Sequence, residues 1–178
     1  MGAVARHPAI SALQARQDGL LTLAQATTCG MSPRAVQRRV RTAAWERVAP
    51  RVYLAAGHPH TDRMRVRAAG MWAGARGALS GEAAAFWHGM LAVPPAEIVV
   101  TVPRVCGLRP FPGVRVRRRD VPDADLVGID GIRLTDIPLT ALDTAATLPD
   151  GSAFLDRALQ KHVRFPRLYR AHCQPVTP

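Results

Sequence analysis

Between residues 22 and 54 the apolar positions change their period, and the changes mark out elements. Thr22 and Ser32 each carry a side-chain oxygen able to satisfy the orphan N–H groups of a helix start. Leu23 to Cys29 predicts a short helix, closed at Gly30, where the absent Cβ permits a sharp exit. A second helix is predicted from Ser32, with Pro33 at its first position, where a missing N–H costs nothing. In that helix Val36 and Val40 share an apolar face, Arg34, Gln37, Arg38 and Arg41 recur at helical spacing on another, and Arg39 lies toward the flank. The period then falls to two over Trp45–Val48 and Arg51–Leu54, broken at Ala49-Pro50. This predicts a tight β-hairpin with Trp45 and Tyr53 as core residues.

Beyond His60 the pattern mixes helical and extended segments. A helix is predicted over 61–73 with Met64, Ala68, Met71 and Trp72 as its apolar stripe, and Ser80 caps another that carries Phe86 and Trp87 and ends at Gly89 and Pro94-Pro95. Ile98–Val102 has the β-branched run of a buried strand, and residues 103–112 form a loop closed by Gly113. Val114 and Val116 alternate with Arg115, Arg117 and Arg119, giving a strand with one apolar and one cationic face. That stripe has three readings: a second nucleic-acid surface, a docking face for an acidic partner, or a solvated edge guarded by charge. Asp120, Asp123 and Asp125 follow it and are placed to neutralise part of it. A hairpin over 127–134 turns at Asp130-Gly131, two helices cover 138–148 and 152–163, and 165–178 reads as a basic, Pro-containing, disordered tail.

The expected fold class is α+β. Residues 1–57 follow the plan of a winged helix-turn-helix, and 61–164 form a small mixed α/β domain. A length of 178 residues suits two such domains.

Charge sharpens this picture. The net charge is +11 and the isoelectric point near 11.3, which favours a polyanionic partner. Residues 1–60 hold eight arginines against only Asp18 and Glu46. The excess therefore sits where the helix pair and hairpin are. A planar guanidinium can read the O6/N7 edge of guanine or clamp a phosphate, and Gln37 can pair with adenine. Arg39 suits phosphate, as do Arg47 and Arg51 flanking the hairpin turn. With no apolar run of the roughly 18 residues a span needs and no cleavable signal, a cytoplasmic location without membrane contact is expected.

Candidate chemistry narrows the function by exclusion. Cys29, Cys106 and Cys173 are widely spaced and odd in number, so they read as reduced thiols rather than a disulfide framework. His58 and His60 flank Pro59 without a Cys or carboxylate at ligand spacing, so no metal or other cofactor is expected. A restriction-type nuclease needs an acid-x-Lys pair to hold Mg²⁺ and activate water, but the only lysine, Lys161, has no acid two residues before it. Neither a nucleophile elbow nor a phosphate-binding P-loop occurs, and the chain reads as non-enzymatic.

The run QARQDGLLTLAQATTCGMSPRAVQRRVRTAAWERVAPRVYLAAGHP resembles the N-terminal domain of the AbiEi-type antitoxins, regulators associated with type IV toxin–antitoxin and abortive-infection systems and common in actinobacteria. The later pieces ALSGEAAAFWHGML, IVVTVP, GVRVRRR, VGIDGIRLTDIPLTALDTAATLP and FLDRALQKHV follow the order of that family's second domain. The resemblance implies a transcriptional regulator that represses its own operon at inverted repeats in double-stranded DNA, as a dimer, and an α/β domain that counters a nucleotidyltransferase-like toxin. It places the recognition positions on Ser32, Arg34, Gln37, Arg38 and Arg41, and the wing on Arg47 to Tyr53. One departure stands out: the turn position that the family fills with glycine is Arg51, which leaves the turn type open. Longer relatives continue into a restriction-endonuclease-like domain, and this chain is expected to be either a short regulator or a truncated form. The competing expectation is a protein-interaction module that binds a toxin or other partner without operator-specific DNA binding.

Overall fold

Helix ends fix the first half of the chain. In the computed structural model, which describes residues 8–173, Thr22 closes a capping box: its Oγ1 accepts the Gln25 N–H at 3.1 Å while Gln25 Oε1 accepts the Thr22 N–H at 3.0 Å. The helix so started, α2 (Leu23–Thr28), ends at Gly30 with φ +84°, where the Gly30 and Met31 N–H groups return to the Thr27 and Ala26 carbonyls. Ser32 then accepts the Ala35 N–H at 3.2 Å and starts α3 (Pro33–Arg41). Ahead of these lie α1 (Pro8–Arg16) and β1 (Leu20–Thr22); after them come β2 (Trp45–Ala49), β3 (Val52–Ala55) and α4 (Asp62–Ala73).

The described residues divide into two units at Trp72/Ala73. In the first, an antiparallel sheet of order β1-β3-β2 backs the helices, and Ile10, Leu21, Ala26, Met31, Val36, Trp45 and Tyr53 form the core. Sequence pattern did not mark α1 or β1. It also placed the boundary near 57–61, whereas most of α4 belongs with the first unit. Arg67 is the reason: 3% exposed, it donates to the Arg16 carbonyl at 3.1 Å and sets its Nε 2.7 Å from Asp18 Oδ2. A buried guanidinium without those partners would cost several kcal/mol, about 3–5 by analogy with broken buried pairs.

The hairpin turn is one residue later than expected. Ala49 pairs with Val52, so Pro50-Arg51 form the turn, and a register shift between Arg47 and Ala49 absorbs Val48. Arg51 has φ +64°. A proline followed by a residue with positive φ is the arrangement of a type II turn, which normally places glycine at the second position.

The second unit is built on a mixed five-stranded sheet. Its strands are β4 (Ala78–Leu79), β5 (Ile98–Val102), β6 (Val114–Arg118), β7 (Leu126–Ile129) and β8 (Ile132–Thr135), in the order β6-β5-β4-β8-β7. β5/β6 and β4/β8 run parallel, β4/β5 and β7/β8 antiparallel, the last pair turning at Asp130 and Gly131, both at positive φ. Helices α5 (Gly81–Trp87), α6 (Ile137–Ala145), α7 (Gly151–Lys161) and α8 (Phe165–Cys173) complete it. Leu79, Ile98, Val100, Val102, Leu134 and Phe154 are fully buried. The expected disordered tail over 165–178 is corrected for 165–173. Leu168, 5% exposed, packs with Ala141, Ala158 and Val163, and this apolar contact orders a helix that Pro166 tolerates in its first turn. Residues 174–178 lie outside the described residues.

Ser80 stands at the start of α5, but its side chain makes no capping bond; it forms a buried pair with Thr101, Oγ to Oγ1 2.7 Å. Nearby, His88 Nε2 donates to the Thr135 carbonyl at 2.8 Å. Burial holds the His88 pKa below its ordinary value, against opposing contributions from that bond and from Asp136. Burial likewise raises Asp125 and Asp136 above the usual carboxylate range.

Two predictions follow from the local chemistry. Replacing Arg51 by glycine relieves a left-handed conformation that costs a side-chain-bearing residue about 1–2 kcal/mol, offset in part by glycine's larger unfolded-state entropy. The R51G protein is expected to melt at a higher temperature, by an equivalent of about 0.5–1 kcal/mol; an unchanged or lower Tm would show that the turn carries no strain. A histidine whose folded pKa is depressed stabilises fully above its unfolded pKa of about 6.5 and loses that contribution as pH falls toward the folded value. Urea midpoints should therefore drop as pH falls below about 7, and His88→Gln should shrink the drop. An equal drop in that variant would assign the acid sensitivity elsewhere, since the raised carboxylates act with opposite sign.

Candidate nucleic-acid interface

The face of α3 that is not core is cationic and unneutralised. Val36 is buried and Val40 and Ala35 pack against the same cluster, which turns Arg34, Gln37, Arg38 and Arg41 outward, all exposed. The carboxylates of the first unit are engaged elsewhere: Asp18 with Arg63 and Arg67, Asp62 with Arg65, and Glu46 with His60 at 2.9 Å. Among the described residues none reaches Arg34, Arg38 or Arg41. Ser32, expected beside them, uses its hydroxyl oxygen as the helix cap, so its part in the surface is to fix where α3 begins.

Arg39 departs from the flank role expected of it. Its guanidinium lies over the Trp45 ring, 5.2 Å from the centroid, and the side chain is half-buried. It ties α3 to β2 rather than projecting toward a phosphate. Trp45 in turn is 3% exposed and tilted against Tyr53, with centroids 6.0 Å apart and planes at 31°. Both aromatics are core, as their alternation predicts. Arg47 on β2 and Arg51 in the turn are exposed, so the hairpin brings two further cations into the same unit. Val40, Trp45, Arg47, His58 and His60 line an open cleft of about 440 Å³, in which His60 meets Glu46 at 2.9 Å.

The striped strand β6 behaves differently. Arg115 is held by Glu97 at 2.7 Å, and Arg117 and Arg119 converge on Asp143 at 3.4 and 2.9 Å. A cationic face is present in sequence, but two carboxylates offset most of it, Glu97 on Arg115 and Asp143 shared by Arg117 and Arg119, which weakens the case for a second basic surface at Arg115, Arg117 and Arg119. The ion-pairing groups are not those expected. Asp120 accepts the Arg104 N–H at 3.1 Å, Asp123 pairs with Arg133 at 3.1 Å, and Asp125, buried, is near enough to Arg119 to feel its charge. Sequence proximity pointed to these aspartates, whereas strand and helix packing brought in Glu97 and Asp143.

Cys29, Cys106 and Cys173 are free thiols. Among the described residues, no three His, Cys, Asp or Glu side chains stand close enough to hold a metal ion, and no helix is long and apolar enough to cross a membrane.

No family model and no curated protein matches this chain. Among solved structures, it is similar to the RV2827C protein from Mycobacterium tuberculosis, with 18% sequence identity and a TM-score of 0.56, over 93% of this chain and 70% of that one. At that identity the likeness concerns the fold, and what the two chains share is a mixed α+β architecture.

Proposed function

We propose that the first unit is a winged helix-turn-helix that binds double-stranded DNA, and that the protein is a cytoplasmic transcriptional regulator of antitoxin type without enzymatic activity. The observation that carries the DNA reading is the outward face of α3, where Arg34, Gln37, Arg38 and Arg41 stand exposed with no carboxylate partner among the described residues. The order α1-β1-α2-α3-β2-β3 and the sheet order β1-β3-β2 support it, because they set a capped helix beside a hairpin that carries Arg47 and Arg51. In this reading α3 enters the major groove, Arg38 and Gln37 reach base edges, and Arg34, Arg41, Arg47 and Arg51 hold phosphate. Arg39 sets the angle between helix and hairpin. Autorepression at an inverted repeat and neutralisation of a nucleotidyltransferase-like toxin by the second unit are supported by the AbiEi resemblance alone, whereas duplex binding rests on geometry.

The test is a titration of the full chain with a duplex from the region upstream of its own gene. About four phosphate contacts per monomer predict a log–log salt slope of about −3.6. Arg38→Ala should cost about 1–3 kcal/mol on that duplex and relax preference at one position. The triple variant Arg34→Ala, Arg38→Ala, Arg41→Ala should lose binding altogether. Equal affinity for random duplex would remove the operator role, and a triple variant that binds like the parent would show that α3 faces elsewhere.

A further inference from the structure

Helix α8 leaves two large aromatic side chains in solvent, and its surroundings suggest why. Leu168 anchors the helix through Ala141, Ala158 and Val163, and this contact leaves Phe165 and Tyr169 63% and 59% exposed. Being four residues apart, they stand one above the other, with ring centroids 6.2 Å apart and planes within 25°. The result is a short stepped platform of nearly parallel rings. Exposed apolar surface of this kind disfavours the free protein and usually marks a contact.

The cations around it differ from Arg115, Arg117 and Arg119. In the second unit Arg104, Arg115, Arg117, Arg119, Arg133 and Arg157 each have a carboxylate partner. Lys161, Arg164, Arg167 and Arg170 are all exposed and have none within ion-pairing distance among the described residues, as is also true of Arg76, Arg109 and Arg118. No Asp or Glu follows Asp156 in the sequence. Arg167 is near enough to Asp136 to favour its charged form, but makes no ion pair with it. Two stacked rings thus sit in a segment of uncompensated positive charge.

We propose that α8 binds single-stranded nucleic acid, with unpaired bases stacking on Phe165 and Tyr169 and the phosphates meeting Arg164 and Arg170 beside the rings and Lys161 at the end of α7. Bases inside a duplex are already stacked on each other and cannot use such a platform; unpaired ones can, and every base has a π-face. An acidic peptide would satisfy the cations but would leave the rings without a flat partner. The inference goes beyond duplex binding by α3 and does not rest on it.

The full chain should bind a fluorescein-labelled oligothymidylate of about 12 nucleotides, followed by anisotropy, with an affinity that falls as salt rises. Replacing both rings in a Phe165→Leu, Tyr169→Leu variant keeps the helix apolar but removes the π-faces, and should weaken binding by at least about tenfold. Tyr169→Phe should bind within about twofold of the parent, which separates lost stacking from a disturbed helix. The Arg34, Arg38 and Arg41 triple variant should bind the oligonucleotide like the parent even if it loses the duplex. Absence of oligothymidylate binding by the parent, undiminished binding by the double leucine variant, or its loss in the α3 variant would each overturn the proposal. So would polyglutamate displacing the oligonucleotide equally from the parent and the double leucine variant, which would point to an acidic protein partner instead.

Discussion

Trp45 is the point on which the first unit turns. Its indole is buried between the sheet and α3, leans on Tyr53, and carries the Arg39 guanidinium 5.2 Å from its centroid. One side chain thereby joins helix, hairpin and core. Dispersion and cation–π attraction at such a site combine with burial of a large apolar surface, which is why a single aromatic can fix the angle at which α3 meets β2. The direction of the other arginines follows from this, because Val36 and Val40 pack into the same cluster and rotate the remaining face outward.

The protein sorts a large arginine excess into two classes by supplying or withholding carboxylates. On β6 and at its end, Glu97 and Asp143 meet Arg115, Arg117 and Arg119, so an edge strand keeps a charged, aggregation-resistant surface while its local field is reduced. Arg34, Arg38 and Arg41 on α3, and Arg164, Arg167 and Arg170 around α8, have no carboxylate within ion-pairing distance among the described residues. Exposed pairs of the first kind add little stability, typically below about 1 kcal/mol, so their consequence is chiefly electrostatic. Where compensation is missing, the field remains available to a polyanion.

The second unit also contains two separate sets of buried polar contacts at the ends of its strands. Ser80 meets Thr101 across β4 and β5, Thr135 meets Thr140 at 2.7 Å across the start of α6, and His88 reaches the Thr135 carbonyl. Each buried hydroxyl or imidazole N–H is costly without its partner, so these contacts penalise any slip in register between these strands and helices. Gly151 adds a steric condition, since a Cβ there would overlap the Ala145 carbonyl and force α6 and α7 apart.

What the sequence determined by itself was chemistry of short reach. Thr22 and Ser32 mark helix starts because a side-chain oxygen caps an N–H only three residues on, and Asp130-Gly131 marks a turn because two adjacent residues must accept positive φ. The α+β class and the outward arginines of α3 follow from periodicity alone. Tertiary structure decided the rest. Arg51 takes a glycine-like φ because closing the strand pair outweighs its local preference, and Arg39 leaves its flank because Trp45 lies above it in space but not in sequence. The partners of Arg115 and Arg119 are 18 and 24 residues away, beyond what any local pattern encodes. Helix α8 is ordered through Leu168 on a surface made by other helices. Local rules specify dihedrals and caps; which charges are cancelled, and which segments find an apolar surface to fold against, depends on groups brought together only when the chain has closed.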